Sequence, residues 1–146
     1  MLERANLAGA LTAVAMYVLC IAVFVSRLAG RPDAGHATGW LQFVLAVPLM
    51  VLLVLAPRLG RHWLYYLQVG LMLAFLVVEF VLDYALKADF RGARAAVIPY
   101  VMLFFAGTGG MVGVASLAGR GWTAAAGILF LATAVLAFVQ RGVTGM

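Results

Sequence analysis

Residues 62–87 read HWLYYLQVGLMLAFLVVEFVLDYALK, and this stretch decides the class of the fold. At about 1.5 Å of helical rise per residue it can cross a bilayer core of about 30 Å with some tilt. It differs from the other apolar runs in carrying ionisable groups inside its own length. Glu79 and Asp83 lie within it, Gln68 precedes them and Lys87 closes it.

The composition around this segment points the same way. Of the 146 residues, 66% are hydrophobic and only 10% charged, and the mean hydropathy is +1.11. A water-soluble domain carries about a quarter of its residues as charges, so lipid is the expected solvent for most of this surface. The formal charge of +5 would suggest nucleic acid in a soluble chain. Here the basic residues flank apolar runs, where they meet anionic headgroups, and no nucleic-acid partner is expected. Cys20 is the only cysteine, which excludes an intrachain disulfide, a CxxC redox pair and a cysteine-based zinc site.

Working outward, the apolar runs predict an all-α bundle of five transmembrane helices, with spans at about 5–26, 40–56, 62–87, 97–118 and 122–140. The first run is longer than the apolar core of a signal peptide, about 7–15 residues, and reads as a retained anchor. Within it Ala5, Gly9 and Ala13 recur every fourth residue, a face on which another helix can approach closely. Residues 27–39 hold three glycines, a proline and alternating charges, and predict an irregular loop containing His36. Pro48 sits near the middle of the second span and predicts a kink. Pro99 is tolerable if it falls in the first turn of the fourth span. With five spans the two ends of the bundle carry Arg4, Arg58, Arg61 and Arg120 on one side and Arg27, Arg31, Lys87, Arg91, Arg94 and Arg141 on the other. Six against four favours N-out, C-in under the positive-inside rule, and the expected location is a bacterial cytoplasmic membrane.

The candidate site follows from the third span. On a helical wheel at 100° per residue, Gln68 and Glu79 lie about 20° apart, and Glu79 and Asp83 about 40° apart. Glu79 falls about 7 Å from the midplane and Asp83 about 13 Å, near the interface, where Asp83 can pair with Lys87. A charged carboxylate at the depth of Glu79 costs about 2–3 kcal/mol unless it faces protein or water, so Glu79 is expected to face the bundle interior. There it serves either as hydrogen-bonding glue between helices or as a titrating group on an ion or proton path.

In the fourth span Gly107, Gly110 and Gly113 recur every three residues. Such a pattern usually permits close helix packing. The sharper reading is that Thr108, Gly109 and Gly110 loosen the helix and offer carbonyls to a substrate or ion. Lys87, Arg91 and Arg94 are candidates for an anionic headgroup.

No GxSxG, HExxH or P-loop motif is present, and no metal or cofactor is expected. The leading expectation is a small transporter or channel-type subunit using Glu79, with Asp83, for an ion, proton or small substrate. An alternative is a non-catalytic subunit or assembly factor in which Glu79 and the glycine-rich span serve packing. An intramembrane enzyme acting on lipid, with Glu79 and Asp83 as acid and base, lacks a nucleophile and comes last. Five helices enclose little volume, so a homo-oligomer or a larger membrane complex is the expected assembly.

Overall fold

The computed structural model describes residues 1–87 and 92–144. The described residues are helical with no strand, and five helical segments are long and apolar enough to cross a membrane. Helix α1 covers Leu2–Leu28. The second segment is broken into α2, Pro32–Val44, and α3, Ala46–Leu55. Helix α4, Trp63–Glu79, continues into a π-helical stretch, Phe80–Ala85. Helices α5, Arg94–Ser116, and α6, Arg120–Thr144, complete the bundle.

The expected irregular loop over residues 27–39 is mostly helix, and only Ala29–Arg31 separate α1 from α2. Pro32 occupies the first helical position, where its missing N–H is no loss, and Asp33 stands in the positive first turn. The glycines that suggested a loop are contact points instead. A Cβ on Gly35 would lie 3.3 Å from the Val23 carbonyl oxygen, and one on Gly39 would run into the Tyr84 hydroxyl.

The break at Leu45 is where Pro48 requires it. Proline cannot donate to the carbonyl of Val44, four residues back, and its ring crowds that oxygen. Leu45 N–H turns instead to the Gln42 carbonyl at 3.1 Å. Pro99 departs from expectation, because α5 begins at Arg94 and the proline falls past its first turn. The α4 helix also ends differently from a regular span. Leu86 N–H donates to the Val81 carbonyl at 2.9 Å, and Lys87 takes a left-handed φ of 48°. Asp83 and Lys87 are therefore not one turn apart on a continuous α-helix.

Helix α1 packs against α2, α3, α5 and α6, while α5 lies along α4. Its small face is buried as the spacing suggested, and a Cβ on Gly9 would approach Val114 of α5 to 2.9 Å. The core between these helices holds Met16, Tyr17, Leu49, Val69, Met72 and Met111. The outward faces are apolar as well: Val44, Val47 and Val54 on the second segment and Ile128, Leu131 and Val135 on α6 are exposed. An apolar outer surface around an apolar core is the pattern of a bundle solvated by lipid.

Candidate functional site

Glu79 is the last residue of α4 and is only 8% exposed, so the inward orientation expected from its depth is the one found. The hydroxyl of Tyr100, on α5, donates to its Oε2 oxygen. Two further features of the sequence make this meeting possible. Phe75, one turn before Glu79, packs its ring 5.7 Å from that of Tyr100, fixing the two helices face to face. The glycines of α5 then bring the backbones together farther along: a Cβ on Gly107 would lie 3.2 Å from the Met72 Cα.

Glu79 borders a partly open cavity of about 110 Å³. Its polar lining is Arg27 of α1, Gln42 of α2, Glu79, Tyr100, and Gln140 and Arg141 of α6. Five segments converge on it: Arg27, Glu79, Gln140 and Arg141 lie toward the ends of α1, α4 and α6 and Tyr100 in the first half of α5, while Gln42 lies near the end of α2. Gln42 is buried and donates from Nε2 to the Cys20 thiol at 3.3 Å, which draws α2 against α1. Gln140 is 2% exposed, an amide held almost wholly inside protein. Arg27 is half-buried and Arg141 exposed, whereas Glu79 is buried, so the two basic residues of the lining are the more solvent-accessible ones.

An aromatic wall closes the apolar part. Phe104 meets Phe75 edge-on at 5.3 Å and Phe24 at 6.0 Å, and Phe105 stacks on Phe138 at 5.7 Å. These spacings fall in the range where aromatic pairs attract beyond simple burial.

The other residues singled out from the sequence are dispersed. Asp83 is half-buried in the π-helical stretch and does not line the cavity. Gln68 lies about 16 Å from Glu79 along the axis, at 1.5 Å per residue. It packs against α5, where a Cβ on Gly110 would lie 3.3 Å from the Gln68 Cα. Thr108 is fully buried in unbroken helix; its hydroxyl bonds the Phe104 carbonyl at 2.7 Å, and its own carbonyl accepts from the Tyr17 hydroxyl. Gly109 faces Phe130 of α6, with 3.6 Å between a built Cβ and the ring. Helix α5 thus keeps its hydrogen-bond ladder through Thr108, Gly109 and Gly110, and these glycines serve as packing surface. Lys87 and Arg94 are exposed, and Arg91 lies outside the described residues. Among the described residues no three His, Cys, Asp or Glu side chains gather as a metal site.

Arg27, Gln42, Tyr100, Gln140 and Arg141 were not expected at the site. Each reads separately as a span-end or belt residue. Only their shared end of the bundle, two amides within apolar runs among them, hinted at convergence. No protein-family model matches this chain, and no curated protein or solved structure shows significant similarity to it.

Proposed function

We propose that the chain is an integral membrane protein acting as a small transporter or channel-type subunit, in which Glu79 handles an ion, proton or small substrate. The observation that carries this reading is the cavity: a carboxylate buried at the junction of five helical segments, beside two guanidinium groups and two amides. A group used only for packing needs no adjoining space, whereas a group that binds or relays a solute does. Asp83, beyond Glu79 in the direction of the chain end of that span, stands where it can take part in exchange with the aqueous side. In this reading the protein lies in a bacterial cytoplasmic membrane with its first residue outside and its last inside, so that the cavity mouth, flanked by Arg27 and Arg141, faces the cytoplasm.

The test is flux in proteoliposomes under an imposed pH or ion gradient. Wild-type protein should dissipate or use the gradient, and Glu79→Gln should reduce the rate at least roughly tenfold while leaving extraction and thermal stability near wild type. Equal flux from the two proteins would refute a role for the carboxylate.

A second reading draws on the hydrogen bond from Tyr100 to Glu79, which ties α5 to α4, together with the glycine seam between the same helices. In that reading the chain is a non-catalytic subunit or assembly factor of a larger complex. Native mass spectrometry of the protein gently released from its membrane separates the two. A homo-oligomer that survives Glu79→Gln favours transport, and a stoichiometric partner lost on that substitution favours assembly.

A further inference from the structure

The cavity beside Glu79 has a chemistry more specific than its volume. Among the described residues its charged lining is two guanidinium groups, Arg27 and Arg141, and one carboxylate, Glu79. The carboxylate already accepts from Tyr100, so part of its hydrogen-bonding capacity is spent within the protein. Arg27 and Arg141 are the more exposed part of this lining, and Phe24, Phe75, Phe104, Phe105 and Phe138 supply its aromatic part.

We propose that this cavity binds a small monocarboxylate whose apolar part is about the size of one aromatic ring; the inference deepens the transporter reading and rests on it. Arginine matches a carboxylate in a planar two-bond geometry that neither lysine nor an amide reproduces. With the head so placed, the apolar part enters the aromatic wall, where edge-on and offset contacts with phenylalanine rings are available. Size limits the choice: an apolar protein cavity of about 150 Å³ holds one benzene. The space here is smaller, about 110 Å³, but has an open side, so a single ring or a short branched chain is the upper limit and the head lies outside the wall. Long-chain fatty acids are too large to be enclosed.

A cation is the contrary possibility, because phenylalanine faces and a carboxylate both attract positive charge. It would have to share the cavity with Arg27 and Arg141 and compete with the Tyr100 hydroxyl for Glu79. Two like charges in the lining and one partly satisfied counter-charge make the cation the poorer occupant.

The experiment uses the full chain in lipid nanodiscs, with 4-fluorobenzoate as probe and fluorine NMR line broadening as readout. Saturable binding is expected, displaced by unlabelled benzoate and not by benzylammonium. The neutral 4-fluorobenzamide should bind at least roughly tenfold more weakly, as should 4-fluorobenzoate to the Arg27→Gln/Arg141→Gln double variant, since a charge-assisted contact contributes that much or more. The ligand series is run on unaltered protein, so the outcome does not depend on how well the variant folds. Benzylammonium binding as tightly as benzoate, or no saturable benzoate binding, overturns the proposal. Saturable benzoate binding without any uptake into proteoliposomes would leave the binding site standing and remove the transport reading. Flux of another solute through a protein that ignores benzoate would do the reverse.

Discussion

Tyr100 and Glu79 form the contact on which the site depends, and each tests the other. Replacing Tyr100 by phenylalanine removes the donor, keeps the ring against Phe75 and leaves a buried carboxylate with less support. The expected loss is about 1–2 kcal/mol, seen as a lower midpoint of thermal unfolding in detergent. Glu79→Gln retains an acceptor for the phenol and should cost less than Tyr100→Phe. A larger loss for Glu79→Gln would mean that the phenol contributes little to holding the carboxylate.

The inward turn of Glu79 could be anticipated because a carboxylate at its depth is costly against lipid. Its partner could not. Tyr100 follows a proline near the start of a span, the position of an ordinary interfacial belt residue, and one helix read alone does not say which residue of another it meets.

Between elements, the α4–α5 seam is the most demanding contact. A Cβ on Gly107 would press on the Met72 Cα at 3.2 Å and the Leu71 carbonyl oxygen at 3.3 Å, and backbone atoms cannot retreat by rotating a side chain. Gly107→Ala should therefore destabilise the protein by about 1–3 kcal/mol. Gly127 of α6 has nothing within 4 Å of a built Cβ, so Gly127→Ala should be neutral or stabilising by up to about 1 kcal/mol. Thermal unfolding of the two variants side by side measures the difference, and equal effects would show that the seam is looser than described.

The five apolar runs announced themselves through length and composition alone. The helical start of α2 did not, because glycine and proline carry the same signature in a loop as in a helix first turn followed by close packing. The π-helical stretch had no sequence sign either. It accompanies tertiary contacts: Tyr84 donates to the His36 carbonyl at 2.8 Å and stacks its ring on the imidazole at 4.2 Å. His36, expected as a lone loop residue, is thereby placed against the end of the third segment.

Over the whole molecule, five helical segments are long and apolar enough to cross a membrane, and five successive crossings would put the start of α1 and the end of α6 on opposite sides. Cys20 is the sole cysteine and is 3% exposed, so single cysteines can be introduced without removing it. In intact cells an impermeant maleimide should label Arg58→Cys and spare Arg31→Cys until the membrane is opened, if the first residue lies outside. The opposite pattern would invert the orientation and turn the cavity mouth outward. Labelling of both before opening would be incompatible with a spanning second segment. The cavity was invisible to the sequence at this scale, since its polar lining is drawn from α1, α2, α4, α5 and α6, each with only one or two polar side chains to show.

The bond from Tyr17 to the Thr108 carbonyl joins residues 91 apart in the chain. At about 5–20 residues per second of synthesis, α1 must wait roughly 5–20 seconds before that carbonyl has even been made. During this interval the helix that becomes the centre of the bundle stands without its α5 and α6 neighbours, its phenol and small-residue seam turned to whatever surrounds it. A nascent chain of this design is thus vulnerable early and secured late. Substitutions that loosen the α5 side of this seam should therefore lower the yield of assembled protein during biogenesis as well as shorten the lifetime of molecules already formed.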